Sequence, residues 1–183
     1  MNNPPPWFAA VPAEVRERAA RVRLALFDVD GVLTDGSLYF TEDGHELKVF
    51  HAHDGHGLKM LNQAGVAVAI ISARESSAVT RRARELGISH LYQGVHDKLP
   101  AFERLCAELD VTPRECVYTG DDVVDLPIML RCGLSVTVPN GHDTVKSAAH
   151  WITGAAGGRG AVREVCDLIL YAQDKMSDLL PAA

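Results

Sequence analysis

The sequence predicts an α/β protein, a doubly wound, Rossmann-like parallel sheet with a β-hairpin inserted after the first strand. Three observations carry this expectation. Short apolar runs recur along the chain with helical patterns between them, and such alternation sets a parallel sheet between two layers of helices. Several of the helical patterns stop at a glycine, the residue that most readily takes the left-handed conformation of a helix end. One stretch, "GSLYFTEDGHELKVFH" from Gly36 to His51, breaks the alternation with two β-rich runs around "EDG", a hairpin signal.

Taken in order, the opening "MNNPPPWFAAVP" is rich in proline and reads as irregular, with Pro12 opening a short helix in "PAEVRERAARV". Residues 1–22 are therefore expected to be an N-terminal extension of one domain spanning 23–183, long enough for a sizeable core. Strands are expected at "RLALFDV", "VAVAIIS", "HLYQ", "CVYTG" and "LSVTV", with "HWIT" as a weaker sixth. Helices are expected at "DGHGLKMLNQAG", "ESSAVTRRARELG", "KLPAFERLCAELD", "DVVDLPIMLRCG" and "HDTVKSAAH". The last segment, "GGRGAVREVCDLILYAQDKM", reads as a glycine-rich turn leading into an amphipathic helix.

Composition narrows the function. The 183 residues are 47% hydrophobic and carry 24 acidic against 18 basic side chains, a net charge of -6. That balance argues against nucleic acid and anionic membrane surfaces as partners, and leaves room for a small anion at a local cationic spot. The cysteines Cys106, Cys116, Cys132 and Cys166 lie in mostly apolar surroundings without CxxC spacing, which reads as buried, reduced thiols. With no signal-peptide pattern and no long apolar run, the expected location is cytoplasmic.

In an open parallel sheet, ligands bind beyond the carboxyl ends of the strands. Asp28 and Asp30 fall at that edge of the first strand, Ser72 at the end of "VAVAIIS", and Gly120, Asp121 and Asp122 at the end of "CVYT". Carboxylates crowded together resist ionising unless a cation sits among them, and an all-oxygen set suits Mg²⁺. Taken singly, each residue has a plain structural role: an aspartate after a strand can be a helix cap, Ser72 a cap for "ARESSAV", and Lys98 a solvated helix residue. Their convergence from separate strands is what points to chemistry. His45, His51, His53 and His56 crowd into twelve residues and invite a zinc reading. Histidines following a strand point to different faces, so a hairpin or subunit contact is the expectation instead.

"DVDGVLTDG", a serine after an apolar strand, the lone lysine in "GVHDK", and "GDDVVD" resemble, in order, the four motifs of the haloacid dehalogenase superfamily of phosphohydrolases. The likeness runs from Leu24 to the region of Pro139. The hairpin and "GGRGAVREV" narrow it to capless members that release phosphate from an eight-carbon sugar acid phosphate on the way to the lipopolysaccharide inner core. The resemblance implies that Asp28 is the nucleophile and forms an aspartyl-phosphate, while Asp30 acts as general acid and then general base. Relatives that hold the aspartyl-phosphate for transport work carry threonine at this second position, so Asp30 favours hydrolysis. It implies Mg²⁺ held by Asp28, the backbone carbonyl of Asp30 and Asp121. Ser72 and Lys98 would meet the phosphoryl oxygens, and Asp122 and Asp125 would orient the metal waters or Lys98. Thr34, Arg74 and Arg159 are assigned to substrate, the two arginines as partners for its carboxylate. Relatives usually have glycine after the motif II residue, where Ala73 stands here.

Only the hairpin and one helix fit between Asp35 and Ser72, and one helix between Lys98 and Asp121, so no cap domain is expected. An open site for a small phosphorylated sugar acid needs a roof from another subunit, which implies a homotetramer with shared sites, assembled through the hairpin and with Arg159 reaching a neighbour. Two alternatives stand beside this reading: a phosphatase for a nine-carbon sialic-type acid phosphate, and a non-catalytic tetramerisation module. The intact Asp28, Asp30, Lys98 and Asp121 weigh against the second.

Overall fold

A computed structural model of the chain describes residues 5–180. Eight strands occur in it: β1 (Leu24–Phe27), β2 (Tyr39–Phe40), β3 (Glu46–Leu47), β4 (Ala67–Ile71), β5 (His90–Tyr92), β6 (Cys116–Thr119), β7 (Leu134–Thr137) and β8 (Trp151–Ile152). Six of them form one parallel sheet in the order β5-β4-β1-β6-β7-β8, while β2 and β3 pair antiparallel as a separate hairpin. The helices are α1 (Pro6–Ala10), α2 (Ala13–Ala19), α3 (Ala52–Gln63), α4 (Ser77–Leu86), α5 (Lys98–Glu108), α6 (Leu126–Met129), α7 (Asp143–Ala148), α8 (Ala161–Ala172) and α9 (Met176–Leu179).

The central strand shows why the runs are continuously apolar. Every residue of "LALF" is buried, because side chains alternate between two faces that are both covered. Ala25 and Phe27 join a core with Leu58 and Leu61 of α3, Val79 of α4 and Val165 of α8. Leu24 and Leu26 join a second core with Phe102 and Leu105 of α5, Ile128 of α6 and Val145 of α7. The chain winds outward from β1 through β4 to β5, then crosses by α5 to β6 on the other side of β1. Loops leaving β1 and β6 therefore diverge and open a crevice at the carboxyl edge, the usual ligand position of such sheets. Among the described residues there is no cap domain, and no helix is long and apolar enough to cross a membrane.

Four local expectations need correcting. The opening segment is helical over Pro6–Ala10 and sends Phe8 into the first core, because a proline at the first helical position lacks only a donor that would be unpaired anyway; Met1 to Pro4 lie outside the described residues. The second helix starts at Ala13, just after Pro12. Helix α3 starts at Ala52, two residues earlier than expected, so His53 and His56 lie on a helix. The single helix expected over "DVVDLPIMLRCG" divides into a 3-10 turn, Val123–Asp125, and the short α6, because Asp122 and Asp125 cap that turn reciprocally.

Helix α5 carries Lys98 at its start, and Phe102 lies fully buried one turn later. Phe102→Ala is expected to cost about 3–5 kcal/mol through the cavity it leaves, measured from the midpoint and slope of urea unfolding. A loss below about 1 kcal/mol would mean that α5 does not rest on the sheet through this side chain.

Candidate active site

Strand register delivers the first group. Phe27 pairs with Ile70 on one side and Thr119 on the other, so Asp28 emerges at the same edge as Ser72 and Gly120. The Asp28 amide donates to the Thr119 carbonyl at 3.0 Å, which fixes the backbone, and Asp28 Oδ1 accepts from the next amide, Val29 N, at 2.7 Å. The chain then turns sharply through Gly31, whose φ of +91° suits only glycine; a Cβ there would overlap the carboxylate of Asp121.

The second group is Lys98, a buried ammonium only 1% exposed. Its Nζ lies 3.0 Å from Asp28 Oδ1 and 2.7 Å from Asp125 Oδ1, and it donates to the Tyr118 hydroxyl oxygen at 3.3 Å. Burial alone would lower the lysine, but Asp28 and Asp125 outweigh it and hold the pKa above its ordinary value. Asp125 Oδ1 also accepts from the Tyr118 hydroxyl at 2.7 Å, and Asp125 Oδ2 accepts from the amides of Asp121 and Asp122 at 3.0 and 3.2 Å. Four donors thus occupy Asp125, which orients Lys98. Tyr118, from the middle of an apolar strand, was not anticipated from sequence. Its only signal was a phenol among residues otherwise fit for a core.

Asp121 differs. Its Oδ1 is buried without a hydrogen-bond partner, and one oxygen each from Asp28, Asp121 and Asp125 lie within 4.8 Å of one another. Burial, then the charge of Asp28, pushes the Asp121 pKa up to about 7. Burial, then Asp125, pushes that of Asp28 up to about 6 against the pull of Lys98. A crowded carboxylate pair with a spare buried oxygen fits a divalent cation, which would remove both penalties.

The remaining residues divide. Asp122 spends its carboxylate on Val123 N at 2.7 Å as a cap. Thr34 is buried, and its hydroxyl oxygen accepts from the amides of Gly31 and Gly36 at 3.4 and 3.2 Å, bracing the first loop. Ser72 is buried at the end of β4 and accepts from the Arg74 amide at 3.3 Å. Arg159 is exposed, 3.5 Å from Asp35. The edge-to-face rings of His51 and His53 lie 5.1 Å apart, where the hairpin joins α3.

Two hairpin residues that sequence reading passed over face the site. Lys48 Nζ hydrogen-bonds Asp30 Oδ1 and lies 3.4 Å from Glu46 Oε1. Glu46 in turn accepts from Arg74 at 2.7 Å, and Arg74 Nε stands 3.7 Å from Asp30 Oδ2. Their signal was the alternation in "ELKVF": Glu46 and Lys48 share one face of the strand, Leu47 and Val49 the other.

Known proteins resemble this chain over most of its length. The profile of the haloacid dehalogenase-like hydrolases matches residues 87–165. The 3-deoxy-D-manno-octulosonate 8-phosphate phosphatase KdsC of Yersinia pestis is 48% identical over 92% of this chain and 90% of its own. Its crystal structure superposes with a TM-score of 0.89, covering 90% of this chain and 89% of that one. The phosphatase of the same name from Moraxella catarrhalis, solved with a magnesium ion, a phosphate ion and a KDO molecule, is 43% identical with a TM-score of 0.89, covering 91% of this chain and 95% of that one.

The raised carboxylates set a pH dependence for the metal-free protein. A carboxylate whose pKa is raised by folding contributes stability that is fully present below its unfolded pKa and is lost as pH rises through the folded one. Thermal stability without metal should therefore fall between pH 5 and pH 8, and added Mg²⁺ should restore it. Asp121→Asn should raise the metal-free melting temperature at pH 8, by about 2–4 °C for each kcal/mol relieved, and remove most of the response to Mg²⁺. An Mg²⁺ response in Asp121→Asn equal to that of the unaltered protein would show that the ion binds elsewhere.

Proposed function

The chain belongs to the haloacid dehalogenase-like hydrolases, among the 3-deoxy-D-manno-octulosonate 8-phosphate phosphatases, and from that premise we infer that it hydrolyses this sugar acid phosphate to the free sugar acid and inorganic phosphate, with Mg²⁺ as cofactor. The observation that carries the reading is the buried Asp28 held 3.0 Å from Lys98 beside the unpartnered oxygen of Asp121. A scaffold has no use for such a costly arrangement of buried charge.

Asp28 is the nucleophile. Its carboxylate oxygen bonds to phosphorus as the bond from phosphorus to the sugar oxygen breaks, and Asp30 gives its proton to the departing oxygen. Water then attacks phosphorus and passes a proton to Asp30, which restores free Asp28 and releases phosphate. Lys98, already charged and held by Asp125, faces the oxygens on which negative charge develops, so little reorganisation is needed as the reaction proceeds. Ser72 and the amides of the first loop bind the same phosphoryl group. Asp28, the Asp30 carbonyl and Asp121 are the residues that would hold Mg²⁺, which when bound neutralises phosphate charge so that a carboxylate can approach.

The assembly follows from what the single chain leaves open. Leu38, Tyr39, Phe40, Leu47 and Val49 of the hairpin region are all exposed, and exposed edges and apolar faces of this kind seek partners. The chain is read as a cytoplasmic homotetramer in which the hairpin makes the contact and Arg159 meets the substrate carboxylate in a neighbour's site. The four buried free thiols suit a reducing compartment.

Asp28→Asn should reduce phosphate release to background while leaving the fold unchanged, since an amide cannot form the acyl phosphate. A panel of eight- and nine-carbon sugar acid phosphates, assayed for phosphate release, identifies the substrate. A clear preference for a nine-carbon ester would displace the present reading. For the shared site, Asp28→Asn and Arg159→Ala chains are mixed: each retains what the other lacks, so hybrids should regain part of the activity. Hybrids no more active than their parents would show that each chain builds its own pocket.

A further inference from the structure

The hairpin inverts the usual distribution of polarity. Lys48 has a side chain 3% exposed, while its neighbours Leu47 and Val49 are 55% and 59% exposed. A long ammonium side chain left to itself extends into water. Here it is turned inward onto two carboxylates, Asp30 through Oδ1 and Glu46 at 3.4 Å. Burying the ammonium is tolerable only because both are present. The contact reaches across eighteen residues of sequence, from the hairpin to the loop that follows Asp28.

We propose that Lys48 is a positioning residue that aims the carboxyl group of Asp30 at the leaving oxygen of the substrate. The inference rests on the acid–base role assigned to Asp30 above. With Oδ1 engaged by Lys48, the ring of contacts leaves Oδ2 as the oxygen free to carry the proton. On that oxygen's side, Arg74 Nε stands at 3.7 Å, too far for a hydrogen bond, and the guanidinium is itself drawn aside by Glu46 at 2.7 Å. An aspartate on a loop has several rotamers open to it, and proton transfer tolerates little misplacement. Lys48 removes that freedom. The hairpin thus supplies a fixed charge beside the carboxyl group of Asp30.

Leaving-group dependence tests this, because a group that acts through the general acid matters only where the leaving oxygen needs a proton. kcat/KM is measured for 3-deoxy-D-manno-octulosonate 8-phosphate, for glycerol phosphate as a small alkyl ester, and for p-nitrophenyl phosphate, whose leaving group departs without help. Lys48→Met should lower kcat/KM for both alkyl esters about tenfold to a hundredfold, within the range that general acid catalysis supplies, and leave p-nitrophenyl phosphate within about twofold. Lys48→Arg should recover much of the loss, and Asp30→Asn/Lys48→Met should be no slower on alkyl esters than Asp30→Asn alone. Lys48→Gln gives the same comparison should methionine disturb the hairpin, and the Mg²⁺-induced rise in melting temperature confirms an intact site in each variant.

An equal loss on all three esters, or a loss confined to the sugar acid phosphate with glycerol phosphate spared, would overturn the proposal; the second would make Lys48 a substrate contact. If Asp30→Asn itself spares the alkyl esters, the acid–base reading fails and the role of Lys48 with it. If Asp30→Asn shows the leaving-group pattern and the Lys48 variants do not, only the role of Lys48 fails.

Discussion

A single ammonium group, Lys98 Nζ, ties together the elements that make the crevice. It starts α5, yet it is shared by Asp28 at the end of β1 and Asp125 beyond β6, with Tyr118 of β6 as a third contact. An ion this deeply buried is unfavourable unless every partner is in place, so the position of α5, the register of β1 against β6 and the turn that presents Asp125 are mutually dependent. Asp125 makes the arrangement rigid, because its second oxygen is bound by the amides of Asp121 and Asp122. One side chain thereby fixes both the ammonium and the backbone that carries Asp121.

The first loop is held from the opposite side by the glycine-rich tail. Asn140 donates to the Gly31 carbonyl at 3.2 Å and accepts from Gly157 N at 2.8 Å, and Gly158 N donates to the Val32 carbonyl at 2.9 Å. Backbone meets backbone so closely here that a Cβ at Gly157 would overlap the Gly31 carbonyl. The run of glycines in "GGRG" is thus a packing requirement as much as a turn. It places Arg159 beside Asp35. Helix α8 follows at once, with Asp54 of α3 accepting from Arg163 N at 2.8 Å near its start, which anchors the tail to the core.

The hairpin completes the site in a different way. Its strands are only two residues each, too short to be stable alone. What secures it is the inward pair Glu46 and Lys48, joined to Asp30 and Arg74, together with Phe50 packed against the core. The polar face is therefore covered and the apolar face exposed, the reverse of a solvated hairpin. The same alternation both turns a charge toward Asp30 and leaves an apolar surface exposed.

Much of this was written in the sequence. The alternation of apolar runs with helical patterns dictated a parallel sheet, because a strand buried on both faces has to be apolar throughout, and even the weak run "HWIT" became β8. Asp28, Asp30, Ser72 and Asp121 could be placed on one edge from position alone, because the strand ends of such a sheet share it; Lys98, at the start of α5, was picked out only by the family resemblance. Side-chain direction was not legible. Asp122 and Asp125 stand in one motif and look interchangeable there, and both cap the same turn, but only Asp125 also holds Lys98. Tyr118 reads as core until its hydroxyl is seen on Asp125. Lys48 reads as a solvated charge until the hairpin folds over. Sequence thus determined the succession of strands and helices along the chain, which follows from periodicity, and the sheet edge on which chemistry is displayed. Only the tertiary structure decided which buried charges are paired, because pairing depends on the distances and rotations that distant segments adopt when they pack.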